Sequence, residues 1–375
     1  MHTITEPCRR RPTSNRNSVG AIVNPLLRWY HRHARDLPWR TTHDPYAIWI
    51  SEVMLQQTQV KTVVPYWRRW MTALPTVNDL ADASDQQLLK HWEGLGYYSR
   101  VRNLKKAALM IRDEFKGIFP QNISDWRQLP GVGQYTAAAI CSIAFNHPEP
   151  VVDGNVRRVL SRLHAIRGFR STSDLDKKLC RIAGSLIRHV PATGDRCEHR
   201  FGDWNQALME LGATVCIPRN PGCTACPITQ HCRAFEKGDF SRFPSTAPAK
   251  PPVLRHCLVL AVEHRGQWLV RQRPAHGINA GYWEFPNIET HSRCPIQDGQ
   301  VLNALGFIPA WLEPFLSLSH AITRYRFQVS VFRGALLNEP PVQGLDDRWV
   351  SLSEAEQLPL TGAHRKILRR LLACS

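Results

Sequence analysis

The chain has 375 residues and an apolar content of 43%, long enough that two packed domains are a better expectation than one. Forty-eight Lys and Arg against 31 Asp and Glu leave a charge of +17 and a pI near 9.7; such a chain repels itself unless a polyanion such as nucleic acid is its usual partner, solubility being the plain alternative. No apolar run approaches the ~20 residues that cross a bilayer, and no secretory signal opens the chain, so an intracellular protein with no membrane partner is expected.

Residues 1–20 carry Arg9, Arg10, Arg11 and Arg16 among Ser, Thr and Pro and read as a disordered basic tail, a mitochondrial presequence being the alternative. From about Asn24 to Phe235 apolar residues recur at three and four, with capping residues before them and Gly or Pro in the gaps, which predicts an all-α domain over 21–239.

Within it, the segment IWISEVML (48–55) is apolar on nearly every side of a helix, with only Ser51 and Glu52 interrupting. A carboxylate in such a helix is costly unless paired or functional, and apolar surroundings raise its pKa. Glu52 is therefore a candidate general acid, or else a glutamate satisfied by a neighbouring Arg or a helix end. Farther on, Leu129-Pro130-Gly131-Val132-Gly133 separates two helical stretches, the second over Tyr135 to Phe145. Glycines at 131 and 133 permit a tight turn whose N–H groups can point at a phosphate, although a Gly-x-Gly turn by itself often only joins helices.

Asp153, in VVDGNV, stands before a helix from Asn155 to Leu163. Such a residue is an ordinary N-cap, worth about 1 kcal/mol. Paired with Glu52 it has a second reading, because breaking a glycosidic bond takes an acid for the leaving group and a negative charge for the cationic sugar. Eleven cysteines in an intracellular chain argue against a disulfide framework. Four of them, Cys216, Cys223, Cys226 and Cys232, are spaced Cys-x6-Cys-x2-Cys-x5-Cys, so that one short loop can wrap their thiolates round one centre. Compact serial cysteines favour an iron–sulfur cluster, with zinc as the competing occupant. Four protein ligands make the role structural, and Arg219 and Arg233 can turn the loop toward phosphates.

Residues 240–253 lack periodicity and are rich in proline, which reads as a linker. Beyond it, strands are expected over His256–Glu263, Gln267–Arg271, Leu312–Leu318 and Tyr325–Phe332, with a closing helix from about Ala363 to Leu372, giving an α+β domain over 254–375. The last strand alternates Tyr325, Phe327, Val329 and Val331 with Arg324, Arg326 and Gln328, one core face and one basic face.

Taken together, SEVMLQQT (51–58), EGLGYYSRVRNL (93–104), LPGVGQYTA (129–137), VDGNVRRVLSRL (152–163) and the cysteine loop resemble the MutY family of adenine DNA glycosylases. The resemblance implies a helix-hairpin-helix fold with a 4Fe-4S cluster on the four cysteines, acting as a monomer on double-stranded DNA that contains A:8-oxoguanine or A:G mispairs. It implies residence in the cytoplasm or nucleoid of a bacterium, or in the nucleus or mitochondrion of a eukaryote. In it Glu52 protonates adenine and then assists water, Asp153 stabilises the cationic sugar, and Tyr135 and Asn155 support them. A related branch, endonuclease III, carries a strand-cleaving lysine where this chain has Tyr135, so a monofunctional enzyme that leaves an abasic site is implied. Gln57, Thr58, Leu95 and Tyr97 match duplex-contacting positions, of which Gln57, Leu95 and Tyr97 wedge into the helix. Gly131 and Gly133 form the phosphate-binding hairpin, and Trp39, Arg40 and Glu210 line the adenine pocket.

The stretch GYWEFPN (281–287) resembles that family's Nudix-like C-terminal domain. The counterpart of the metal-binding Nudix helix, roughly Gln297 to Gly306, holds Asp298 as its only acid, which argues against pyrophosphate chemistry; the resemblance implies instead a domain that reads 8-oxoguanine. The family's reading loop is Phe-Ser-His; here it is Leu318-Ser319-His320, so the aromatic contact is missing while Ser319 and His320 remain as hydrogen-bonding groups.

Overall fold

A computed structural model of the chain describes residues 20–168, 173–192, 197–245, 251–290, 296–322, 324–339, 344 and 346–374. The expected basic tail up to residue 19 and residues 246–250 of the expected linker lie outside them. Contacts group the chain into two units, Met1–Val53 with Phe119–Ala247 and Met54–Ile118 with Pro248–Ser375.

The first unit is helical. Helices Val23–His33, Gly154–Leu163, Ser173–Ile187 and Arg200–Thr214 share a core in which Leu26, Val156, Leu160, Leu179, Trp204 and Leu208 are fully buried. Gly212 sits where a Cβ would come within 2.7 Å of the Asn155 Cβ and 2.9 Å of its carbonyl oxygen, so glycine there lets the last long helix press against the start of the Gly154–Leu163 helix. Helix Pro45–Leu55 starts on Pro45, which has no N–H to satisfy, and Asp44 accepts the next two amides, from Tyr46 at 3.1 Å and Ala47 at 3.2 Å. Its apolar character all round matches its placement: Ile48, Trp49, Ile50 and Met54 are no more than 2% exposed. The hairpin joins the short helix Ile123–Trp126 to helix Gln134–Phe145. Only one of its glycines is conformationally required. Gly131 has φ +79°, whereas Gly133 is extended, φ −90° and ψ 178°, with open space where a side chain would stand, which corrects the expectation that both are needed.

The second unit combines helices Val60–Ala73, Val77–Asp82, Asp85–Trp92 and Ser99–Asp113 with a mixed sheet. Thr76 with Asp79 and Ser84 with Gln87 form capping boxes that start two of these helices. The strands are β1 (Val253–His264), β2 (Gln267–Gln272), β3 (Trp283–Glu284), β4 (Asn287–Thr290), β5 (Trp311–Ile322), β6 (Tyr325–Ala335) and β7 (Asp347–Val350). The sheet path is β3-β2-β1-β6-β5, with β4 added to β1 and β7 to β2; β1 and β6 run parallel and the other pairs antiparallel. Central β1 is buried on both faces. Val259 and Ala261 face a core with Ile367, Leu368 and Leu371 of helix Gly362–Leu372, while Leu260 and Val262 face Val301 and Leu305 of helix Asp298–Leu305. The four expected strands and the closing helix are present; β3, β4 and β7 are too short to show a period of two.

Within this unit the sheet domain is fastened to the helices. Tyr282 donates its hydroxyl to the Leu89 carbonyl at 2.8 Å and its ring lies 4.1 Å from that of Tyr98, while Arg365 grips Glu93 through two bonds of 2.5 and 2.7 Å. Thus the GYWEFPN stretch is used in packing.

Candidate active site

Glu52 lies in the middle of the helix Pro45–Leu55, 4% exposed, and accepts a hydrogen bond from the Tyr135 hydroxyl at 2.8 Å on Oε2. Burial pushes its carboxyl up to about 7, against the Tyr135 hydrogen bond and the Arg40 charge and with the help of the Asp153 charge. The glutamate is therefore satisfied by a phenol, the expectation of a neighbouring Arg or a helix end being replaced, and it carries a proton near neutrality. Tyr135 is held well above the ordinary phenol range by burial and by the charges of Glu52 and Asp153, so it remains a donor.

Asp153 is the N-cap of the Gly154–Leu163 helix. Its Oδ1 caps the helix by accepting the Val156 amide at 2.6 Å, while Oδ2 accepts from the Asn155 side chain at 2.9 Å. Burial raises its carboxyl, opposed by those hydrogen bonds and by the Arg158 charge. Arg158 was not singled out by sequence reasoning. Its Nη2 donates to Asn155 Oδ1 and to the Gly212 carbonyl, both at 2.7 Å, and its Nε to the Cys216 carbonyl at 2.7 Å, so one side chain holds Asn155 in orientation. Glu52, Tyr135, Asp153 and Asn155, scattered over four sequence motifs, thus form one electrostatically linked group.

Arg40 and Glu210 also meet. Arg40 Nη2 donates to Glu210 Oε2 at 2.7 Å, and Arg35, absent from the sequence expectations, donates through Nε and Nη2 at 2.7 and 2.8 Å. Burial pushes Glu210 up, but the two guanidinium partners outweigh it and hold the carboxyl at about 2. Trp39, 7% exposed, sits in the short turn Pro38–Arg40 that delivers Arg40. A His-Ala-Arg step outside any recognised motif gave no signal for Arg35.

Cys216, Cys223, Cys226 and Cys232 are all free thiols, and each stands within electrostatic reach of others in the set. Burial raises Cys223, Cys226 and Cys232, and neighbouring cysteines add to it. Among the described residues no three such side chains are drawn into coordination geometry, so their fit to one centre rests on mutual proximity and spacing. Arg162 anchors the loop, donating to the Ile217 and Pro218 carbonyls at 2.7 and 2.9 Å.

In the second unit Gln57 and Tyr97 are exposed and both have left-handed backbones, φ +57° and +48°. Thr58 accepts from Arg100 at 3.3 Å. Leu95, expected as a wedge, is 5% exposed. Ser319 and His320 lie on β5, paired with Gln328 and Phe327 of β6, and not in a loop. As neighbours on a strand they face opposite sides: Ser319 lines a hollow with His256, Ser317 and Gln328, and His320 one with Asn287, Phe327 and His364.

Residues 50–183 match the model of HhH-GPD superfamily base excision DNA repair proteins, and residues 257–370 that of the NUDIX domain. Fold and site together define a helix-hairpin-helix DNA glycosylase with a Nudix-like second domain. The adenine DNA glycosylase of Homo sapiens is 36% identical over 94% of this chain and 74% of its own length, and that of Buchnera aphidicola subsp. Acyrthosiphon pisum is 35% identical over 70% and 73%. A solved thermostable thymine-DNA glycosylase matches with a TM-score of 0.50 at 29% identity, covering 58% of this chain and 97% of that one. The chain belongs to the adenine DNA glycosylase family.

Proposed function

We propose that the protein hydrolyses the N-glycosidic bond of adenine mispaired with 8-oxoguanine or guanine in double-stranded DNA and leaves an abasic site. The observation that carries this reading is Glu52, a buried carboxyl with a pKa of about 7. A general acid works best when its pKa lies near the working pH. Because Tyr135 donates to Oε2, the proton of the neutral carboxyl belongs on Oε1, from which it is given to the leaving base. As the bond breaks, positive charge builds on the sugar, and the charge of Asp153 offsets it; burial raises this carboxyl, and the Val156 amide, Asn155 and Arg158 oppose that rise. Glu52, now deprotonated, takes a proton from the attacking water. The position two residues after Gly133 is Tyr135, whose hydroxyl is engaged by Glu52, and it offers no amine to attack the sugar; the reaction stops at the abasic site.

Gln57 and Tyr97 supply the groups that enter the duplex, Gly131 turns the hairpin toward phosphates, and the second domain reads the base opposite through Ser319 or His320. The cysteine loop fits a 4Fe-4S cluster: four free, mutually close thiols on one short segment. Cys216, Cys223, Cys226 and Cys232 would hold it, and it would supply a rigid structural centre for the loop. The test is to identify the base released from A:8-oxoguanine, A:G and G:T duplexes. Free adenine from the first two with an intact strand supports the reading; thymine from G:T, or strand scission alone, overturns it.

A further inference from the structure

Arg100 is 7% exposed, yet its planar head is spread over two separate turns. Nη1 donates to the carbonyls of Met54 at 2.9 Å and Gln56 at 2.7 Å; Nη2 donates to those of Leu95 at 3.1 Å and Gly96 at 2.9 Å, and to Thr58 Oγ1 at 3.3 Å. Nε reaches the Tyr97 carbonyl at 3.4 Å, and the guanidinium lies 5.2 Å from the Trp92 ring and 5.6 Å from the Tyr97 ring. The tips of these two turns are Gln57 and Tyr97, each exposed and each in a left-handed conformation that a side chain with a Cβ resists. Strain of this kind persists only where the surroundings over-determine it. One arginine on the Ser99–Asp113 helix supplies that restraint to both tips at once.

Burying a guanidinium is costly, and an apolar side chain would fill the space more cheaply. What arginine alone provides is a rigid fork of five N–H donors able to satisfy acceptors on two segments simultaneously; lysine concentrates its donors on one atom and cannot span them. We propose that Arg100 is a positioning residue for DNA engagement, fixing the spacing and direction of Gln57 and Tyr97 so that the two side chains enter the duplex as a single rigid wedge. This rests on the reading of Gln57 and Tyr97 as duplex-entering groups.

The test is a cycle with Arg100→Lys made in the wild type and in the Gln57→Ala/Tyr97→Ala background, read by duplex affinity and by the fluorescence of 2-aminopurine placed beside the mispaired adenine. Arg100→Lys weakens binding on the order of tenfold in the wild type, with loss of most of the unstacking signal, and changes either by less than about twofold once both tips are alanine. Equal losses in both backgrounds mean a general structural role and overturn the proposal, as does no loss in either or a wild type that leaves the bases stacked. Should Arg100→Lys fail to fold, Thr58→Val, which removes one acceptor of the fork, takes its place: a smaller loss confined to the wild-type background is expected, and its absence contradicts the proposal. Unstacking needs no base release, so a wild type that unstacks the duplex but frees no adenine would sink the proposed reaction and leave this inference standing.

Discussion

The Tyr135 hydroxyl donates to Glu52 Oε2 at 2.8 Å, joining the second residue after the hairpin to the buried middle of the helix Pro45–Leu55. The bond does two things. It satisfies one oxygen of a carboxyl that is only 4% exposed, and it leaves the other oxygen to carry the proton.

Holding that carboxyl in an apolar helix costs stability. Its folded pKa of about 7 lies above the ordinary carboxyl value of 4.5, so the native state binds the proton more tightly and stability falls as pH rises from about 4.5 to about 7. Glu52→Gln removes this loss. The variant is expected to be more stable than the wild type at pH 8 by about 3 kcal/mol, with the advantage fading toward pH 4.5. Urea unfolding across that range checks it; a variant less stable at pH 8 contradicts the assignment.

Asp153 is both a cap and a charge, and Asp153→Asn separates them. Asparagine still accepts the Val156 amide, so stability should change by less than about 1 kcal/mol. The charge is lost, and adenine release in a single turnover should fall roughly 10²–10³-fold. A large loss of stability with little loss of rate would return Asp153 to capping alone.

Glu210 is 1% exposed and holds Arg35 and Arg40 together. Its folded pKa of about 2 lies below the ordinary carboxyl value, so it contributes stability that is fully present above about 4.5 and is lost as pH falls toward 2. Glu210→Gln should destabilise the protein by about 3 kcal/mol at pH 7 by leaving two guanidinium groups without their carboxylate, with the deficit shrinking below pH 4.5. Thermal unfolding of both proteins at pH 7 and pH 3.5 measures it, and an equal deficit at the two values contradicts the ion-pair account.

The Tyr98 and Tyr282 rings lie 4.1 Å apart, tilted by 39°, between the Ser99–Asp113 helix region and the sheet domain. A double-mutant cycle with Tyr98→Ala and Tyr282→Ala should show a coupling of about 1 kcal/mol in unfolding free energy. Strict additivity would mean that the rings pack independently.

The sequence showed most clearly what local physics dictates. An unbroken apolar helix with one acid, a helix preceded by Asp, and four serial cysteines each carry their own signal, and Glu52, Asp153 and the cysteine loop were found from them. Partners brought in from elsewhere in the chain were not visible. Arg35 and Arg158 look like surface charges in the sequence, and only the fold brings Arg35 to Glu210 and Arg158 to Asn155. The Leu318-Ser319-His320 segment was read as a loop by resemblance, yet its alternation continues the strand to Ile322. Twelve-residue β5 absorbs it because its partner β6 offers a continuous ladder.

The most direct measurement is single-turnover release of adenine from an A:8-oxoguanine duplex, wild type against Glu52→Gln, followed across pH without alkali treatment. The account predicts free adenine from the wild type at a rate that declines as pH rises through about 7, where Glu52 gives up its proton, and a loss on the order of 10²–10⁴-fold in the variant. Adenine release by Glu52→Gln at the wild-type rate would contradict it.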